Sequence, residues 1–116
     1  MKETIETIIK WHRDTFLDAT LDGQVKKWNE ELKEFRETQY TDVHEFADMF
    51  IVACGIARFD INLGLYYFSE IYDWLGSDIP FDVQELIEAV NNKMEKNRKR
   101  VWAKTAEGTY HHTNKE

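Results

Sequence analysis

The sequence has few residues that interrupt helices and few that would stabilise other kinds of fold. One proline and five glycines occur in 116 residues, so long uninterrupted helices are expected. The single cysteine, Cys54, excludes an internal disulfide framework and agrees with a reducing compartment. No apolar run approaches the roughly 18 residues of a membrane span. Residues 3–9 mix acids with isoleucines, which is unlike a signal peptide, so we expect a cytoplasmic protein.

Basic residues are outnumbered as well. The chain has 22 acidic and 15 basic residues, which leaves a formal net charge of -7. This balance argues against a partner that is a nucleic-acid polymer, because such a partner needs a basic face that displaces counterions. It does not argue against phosphates that are bound through a metal ion. Hydrophobic residues make up 42% of the chain, which is typical of one folded domain with a real core.

Apolar residues recur at helical spacing in four segments. These segments are 3–18, 24–37, 43–59 and 83–101. The third is apolar nearly all round, so we expect it at the centre of a bundle. The aromatic-rich segment 60–81 agrees either with a further helix or with a lid over a pocket. Because no strand-like alternation is present, we predict an all-α bundle of four to five helices over residues 1–102. We expect residues 103–116 to form a loose polar tail, and residues 19–23 to form a break between the first two helices.

Two neighbouring predicted helices each carry a pair of acids one turn apart. Glu31 and Glu34 lie beside the apolar stripe of the second helix, and Glu45 and Asp48 lie on the less apolar side of the third. Facing each other, the pairs would place four carboxylates around one point. Such a cluster needs a cation, and Mg²⁺ prefers carboxylate oxygens and water as ligands, with Mn²⁺ as the alternative ion.

The same acids also have a purely structural interpretation. Glu45 stands three residues after Asp42, as in a capping box, and Asp48 would favour the same helix dipole. Glu31 and Glu34, with Glu30, would form a solvated face paired with neighbouring lysines. Spacing alone leaves both interpretations open.

The last predicted helix carries Lys93, Asn97 and Arg100 along one edge of its apolar stripe. A cation, an amide and a guanidinium on one face suit phosphate oxygens and the edge of a base or sugar. A basic turn that complements the helix dipole is the competing interpretation. Trp28, one turn before Glu31, is either a core residue or a surface on which a base stacks.

These motifs resemble a known family. The strings EELKE at 30–34 and EFAD at 45–48 resemble the EExxE…ExxD signature of MazG-like all-α nucleoside triphosphate pyrophosphohydrolases. The string KMEKNRKRVW at 93–102 is similar to the K-M-x-x-N-x-x-R-x-W element of the phage and prophage dATP/dGTP pyrophosphohydrolase branch. The resemblance covers about residues 10–102. The short connection between the acid pairs, residues 35–44, departs from the wider family and leaves the alignment of Glu30 against Glu31 open.

The resemblance implies a definite activity. A (deoxy)nucleoside triphosphate would be hydrolysed between its α- and β-phosphates, giving a monophosphate and pyrophosphate. The implied Mg²⁺ ligands are Glu31, Glu34, Glu45 and Asp48, and the implied catalytic base is Glu30 or Glu34. The implied substrate contacts are Lys93, Asn97 and Arg100. Related enzymes are homodimers or homotetramers, and the excess of apolar surface agrees with self-association. The alternative is a non-catalytic helical interaction or regulatory module with the same fold.

Overall fold

The computed structural model describes residues 2–100, 102–104 and 110–112. Within these residues the chain forms five α-helices and one short pair of strands. The helices are α1 (Ile5–Thr15), α2 (Leu21–Glu37), α3 (Val43–Phe59), α4 (Ile61–Leu75) and α5 (Val83–Asn97). The strands are β1 (Trp102–Lys104) and β2 (Tyr110–His112). The predicted all-α class is confirmed.

Helix α3 is the centre of the bundle, as its all-round apolar sequence predicts. It packs against α1, α2, α4 and α5. Phe46, Met49 and Ile56 on this helix have no exposed surface. Cys54 is also fully buried, and burial raises the pKa of its thiol to about 12. It is therefore a small core residue and not a nucleophile.

The first helical turns are fixed by side-chain caps. The Asp82 side chain accepts a hydrogen bond from the Glu85 N–H at 2.9 Å, and the Glu85 side chain accepts one from the Asp82 N–H at 3.1 Å, so the two residues form a capping box at the start of α5. Thr20 accepts from the Gly23 N–H at 3.0 Å, so α2 begins at Leu21. The break predicted over 19–23 was therefore too long, because Gly23 lies inside the first helical turn.

The segment that the sequence left undecided, 60–81, contains a helix. Asp60 caps α4 by accepting from the Leu63 N–H at 3.0 Å. Gly64 lets α4 approach α3 closely, because a Cβ there would lie 2.5 Å from the Ala57 Cβ. The remaining residues lead to Phe81, which is buried and packs on Phe46 at a ring distance of 5.2 Å.

After α5 the chain forms an antiparallel pairing that the sequence did not predict. Helix α5 ends at Asn97, earlier than the predicted 101. Trp102 on β1 then pairs with His112 on β2. The other residues of the predicted tail, 105–109 and 113–116, lie outside the described residues, so a loose tail there stays a prediction. Among the described residues, no helix combines the length and apolar character needed to cross a membrane.

Candidate metal and phosphate site

The candidate site begins on the facing surfaces of α2 and α3. Glu31 lies near the middle of α2, and Glu45 and Asp48 lie in the first two turns of α3. The connector Thr38–Asp42 turns the chain back so that the two helices pack side by side. Its turn uses two residues with positive φ, Gln39 at 61° and Tyr40 at 60°. A short connector of this kind makes the two helices antiparallel neighbours.

Three carboxylates converge at this surface. One oxygen from each of Glu31, Glu45 and Asp48 lies within 4.8 Å of the others. Glu31 is only 6% exposed, and Glu45 and Asp48 are partly buried. The sequence predicted four converging acids. Glu34 is exposed and lies beside the three, close enough that its charge raises the pKa of both Glu31 and Glu45.

The convergence makes ionisation costly. Burial, followed by the charge of Asp48, raises the pKa of Glu31 to about 8. The same two causes, in the same order, raise the pKa of Glu45 to about 7. Burial also raises the pKa of Asp48, although Lys93 opposes the rise. Without a cation, the cluster therefore holds protons at a pH where isolated carboxyl groups are ionised.

The residues present fit a hard divalent cation. Glu31 Oε2 and Glu45 Oε2 are buried, and neither has a hydrogen-bond partner among the described residues. Buried carboxylate oxygens normally have a hydrogen-bond partner. These two oxygens have none among the described residues, so both are suitable metal ligands. An all-carboxylate donor set suits Mg²⁺ or Mn²⁺ and not a soft metal.

The capping-box interpretation of Glu45 does not describe this structure. Asp42 caps α3 by accepting from the His44 N–H at 2.8 Å. The Asp42 N–H, which a capping box would give to Glu45, donates to Thr38 Oγ1 at 3.2 Å. Glu45 is thereby left with its buried oxygen in the acidic cluster.

Two lysines flank the acids. Lys93 Nζ on α5 lies 3.2 Å from Asp48 Oδ2, and Lys27 Nζ on α2 lies 3.3 Å from Glu31 Oε1. Lys27 also lies 3.6 Å from Glu30 Oε1. The pairing of lysines with the α2 acids that the structural interpretation predicted is thus present. Lys27, however, pairs with the buried Glu31 as well as with the exposed Glu30.

The acidic surface opens into a cavity of about 310 Å³. Its wall combines acids, cations, amides and aromatic rings. The lining residues are Trp11, His12, Phe16, Gln24, Lys27, Glu31, Asp48, Ile51, Val52, Lys93, Asn97, Arg100 and Trp102. Cationic and acidic groups therefore share one concave surface, as phosphate binding through a metal requires.

The predicted Lys93, Asn97 and Arg100 all line this cavity. Asn97 is 7% exposed, and its Oδ1 accepts a hydrogen bond from Arg100 Nη1 at 3.0 Å. The Arg100 guanidinium also lies over the Trp102 ring, 5.9 Å from its centroid. Trp102 Nε1 donates to the Asn97 carbonyl at 3.2 Å, so the first residue of β1 is tied to the end of α5.

Two of the predicted residues lie elsewhere. Trp28 is 4% exposed, packs on Tyr67 at a ring distance of 4.6 Å, and is not among the described residues that line the cavity. The core interpretation describes this placement better than base stacking does. Glu30 lies on the outer side of α2, with 47% of its side chain exposed. Among the two candidate bases, Glu34 is the one beside the cluster.

The sequence did not indicate several residues of the cavity wall. Trp11, His12 and Phe16 come from α1 and its C-terminal end, and Gln24 comes from the first turn of α2. Isolated polar residues at the edge of an apolar stripe have no spacing signal. The placement of His12 and Gln24 depends on another helix, α3, where Gly55 leaves space for both side chains. A single sequence does not reveal such a contact.

In comparisons with known proteins, the chain is similar in sequence to a phage protein. A Salmonella phage PMBT28 protein named dATP/dGTP diphosphohydrolase is 32% identical over 102 residues, which is 88% of this chain. The aligned part is 28% of the phage protein, so the chain spans little more than a quarter of that relative's length. No family model matches the chain. No solved structure matches it significantly.

Proposed function

We propose that the chain hydrolyses a purine deoxynucleoside triphosphate between its α- and β-phosphates, with release of a monophosphate and pyrophosphate. The observation that carries the proposal is that Glu31, whose buried Oε2 has no hydrogen-bond partner among the described residues, lines one cavity together with Asp48, Lys93 and Arg100. The name of the phage relative agrees with this substrate class. Because that relative is much longer than this chain, the likeness supports the proposal without defining the activity.

In the proposed site, Glu31, Glu45 and Asp48 hold Mg²⁺, and Glu34 completes the acidic set. The bound ion would neutralise the acids, bind phosphate oxygens and stabilise the charge that develops on them. Lys93 and Arg100 would contact the same phosphates from α5, and Asn97 orients the Arg100 guanidinium. These cations compensate the charge of a triphosphate that an acidic protein would otherwise repel.

Hydrolysis requires a base that accepts a proton from water. We assign this role to a carboxylate oxygen of Glu34, which is exposed at the edge of the cluster and accessible to solvent. The water oxygen forms a bond to the α-phosphorus, the bond between that phosphorus and the bridging oxygen breaks, and pyrophosphate leaves. Glu30, the other candidate from the sequence, has 47% of its side chain exposed and lies 3.6 Å from Lys27 Nζ.

The proposed setting is the cytoplasm, where nucleotides are abundant and a lone buried cysteine stays reduced. The proposed assembly is a homodimer or homotetramer, because α4 leaves large apolar side chains exposed.

The deciding experiment is a panel of deoxynucleoside and ribonucleoside triphosphates with Mg²⁺ or Mn²⁺, assayed separately for pyrophosphate and orthophosphate. Pyrophosphate release is expected, and Glu45→Gln should lower kcat at least about 100-fold, because it removes a charge without changing side-chain volume. Glu88→Gln, on the exposed face of α5, is the matched control and should keep full activity. Absence of any turnover in the wild-type protein would favour the non-catalytic interaction module.

A further inference from the structure

Three polar side chains, two of them buried and one half-buried, form a hydrogen-bonded series beside the cavity. Arg58 Nη1 lies 3.1 Å from His12 Nδ1, and His12 Nε2 lies 3.1 Å from Gln24 Oε1. His12 is 3% exposed and Gln24 is 5% exposed. His12 and Gln24 both line the cavity, whereas Arg58 supports them from the end of α3.

The hydrogen-bonding roles of these three side chains define the orientation of the Gln24 amide. A guanidinium only donates hydrogen bonds, so His12 Nδ1 must accept from Arg58. The proton of the neutral imidazole then lies on Nε2, which donates to Gln24 Oε1. Burial lowers the pKa of His12 to about 4, so the ring stays neutral at physiological pH. Arg58 is itself anchored, because it also donates to the Phe16 carbonyl at 2.9 Å.

The backbone of α3 at Gly55 lies against the oxygen of the Gln24 amide. A Cβ at Gly55 would lie 2.8 Å from Gln24 Oε1 and 2.7 Å from His12 Nε2, so the α3 backbone covers this hydrogen bond. Gln24 Nε2, in contrast, donates no hydrogen bond to any described residue. This nitrogen is not fully buried, so a ligand can reach it. Because Gln24 lines the cavity and its oxygen is already paired, the amide group has N–H donors and no unpaired acceptor to offer a ligand there.

Aromatic rings surround this donor. Trp11 packs edge-on against Phe16 at 5.2 Å between ring centroids, and Phe16 packs against Trp102 at 5.1 Å. All three rings line the cavity. With the phosphates at the acids and lysines, the base of the proposed substrate would lie at the aromatic part of the same cavity, where stacking is favourable.

We propose that Gln24 is a specificity-determining residue that presents only donors to the base, so that the site prefers a 6-oxopurine to a 6-aminopurine. The proposal rests on the function proposed above. A free glutamine recognises adenine by accepting from N6 and donating to N7. With Oε1 occupied by His12 and covered by Gly55, that pairing is blocked. The O6 and N7 atoms of guanine or hypoxanthine are both acceptors and match the N–H pair, whereas the 6-amino group of adenine opposes it.

The first test compares dITP with dATP as substrates of the wild-type protein. The two lack a 2-amino group and differ at the 6-position and the adjoining N1 proton. A preference for dITP of roughly 10-fold in kcat/KM is expected, since one mismatched donor is left unpaired with dATP. Equal values, or a preference for dATP, would overturn the proposal.

The second test inverts the hydrogen-bonding character of the side chain. In Gln24→Glu one carboxylate oxygen still accepts from His12, and the other presents an acceptor to the base. The ratio of kcat/KM for dITP to that for dATP should fall by about 10-fold or more. Gln84→Glu makes the same chemical change on the exposed start of α5 and should leave the ratio unchanged. If Gln24→Glu does not fold, Gln24→Met removes both donors, and the ratio should fall toward unity.

Binding measurements separate the failure of this proposal from failure of the proposed function. Calorimetric titration with the α,β-methylene analogues of dITP and dATP reports base preference without hydrolysis. Hydrolysis of both triphosphates with a ratio that Gln24→Glu does not change would refute the role of Gln24 and keep the hydrolase. Preferential binding of the dITP analogue without any hydrolysis would support the role of Gln24 and refute the hydrolase. A purely structural glutamine would change the melting temperature and not the ratio.

Discussion

Glu31 carries the strongest electrostatic signature in the candidate site. Its Oε2 is buried without a partner, its Oε1 is paired with Lys27, and its pKa is raised to about 8. Glu45 repeats the pattern, with a pKa of about 7. Side chains in this condition are favourable for cation binding and unfavourable for the stability of the metal-free fold.

The stability of the metal-free protein should therefore increase as the pH falls from about 8 to 6.5. In this window the folded state keeps protons on Glu31 and Glu45, whereas the unfolded state, with pKa values near 4.5, does not. Each retained proton contributes at most about 1.4 kcal/mol per pH unit. Thermal melts in EDTA should show the slope, and Glu31→Gln should reduce it.

Two conditions should change this slope. Saturating Mg²⁺ binds the ionised acids, so it should raise the melting temperature and weaken or reverse the pH dependence. Below pH 6.5, His12 acts in the opposite direction. Its folded pKa of about 4 keeps it neutral while the unfolded chain takes up a proton, so the His12 contribution to stability falls and offsets part of the gain from the two acids. A metal-free melting temperature independent of pH between 8 and 6.5 would contradict the buried cluster.

A second prediction at the scale of single residues concerns Arg100. Arg100→Ala should lower kcat/KM for the triphosphate by a factor equivalent to about 1–3 kcal/mol, because it removes the charged contact that we propose to the phosphates. Lys99→Ala is the matched control, since Lys99 is the exposed neighbour outside the cavity wall. Steady-state kinetics of the two variants, with circular dichroism as the check of folding, decide the matter. Equal effects of the two variants would mean that Arg100 contributes only to the overall positive charge of this region and makes no specific contact with the substrate.

At the scale of elements, α3 and α4 pack through a contact that tolerates no side chain. Gly64→Ala would place a Cβ 2.5 Å from the Ala57 Cβ and 2.6 Å from its Cα, so backbone must move. The expected loss is about 1–3 kcal/mol of unfolding free energy, measured by urea denaturation. Gly76→Ala is the control, because its nearest neighbour would lie 3.6 Å away. A loss in Gly64→Ala no larger than that in Gly76→Ala would mean that the helices separate without cost.

The elements also show what a sequence can and cannot predict. The limits of α3 were predicted at 43–59 and are confirmed, because an apolar run preceded by the Asp42 cap leaves little choice. The start of α2 was missed because Gly23 signals a break, while the Thr20 cap that overrides it depends on local geometry. The acids at i and i+3 follow from helical periodicity. The pairing of His12 with Gln24 does not, because it needs the space at Gly55 on another helix.

At the scale of the whole molecule, α4 exposes several large apolar side chains. Ile61, Leu65, Tyr66 and Tyr72 are each more than half exposed. Helix α4 packs mainly on α3, so its outer side is left to solvent in a single copy. Exposed apolar surface of this kind is typical of an interface between copies.

We expect light scattering to detect a dimer or tetramer at micromolar concentration. Leu65→Glu should shift the protein toward the monomer, because it places a charge in the middle of the apolar face. Leu17→Glu, at a leucine that is 74% exposed and lies outside α4, should leave the assembly unchanged. A wild-type protein that is monomeric at high concentration would contradict this interpretation of α4.

The hairpin of α2 and α3 has a consequence for the order in which the molecule is built. All three converging acids lie between residues 31 and 48, close together along the chain, whereas Lys93 and Arg100 follow much later. Contacts between residues near in sequence cost little loop-closure entropy and form early. On a ribosome, the acidic hairpin would emerge and pair before α5 is synthesised. If Mg²⁺ binds as proposed, the hairpin would meet the ion with Lys27 in place but before Lys93 and Arg100 exist, so the ion would act first as a folding ligand and only afterwards as a partner of the phosphates.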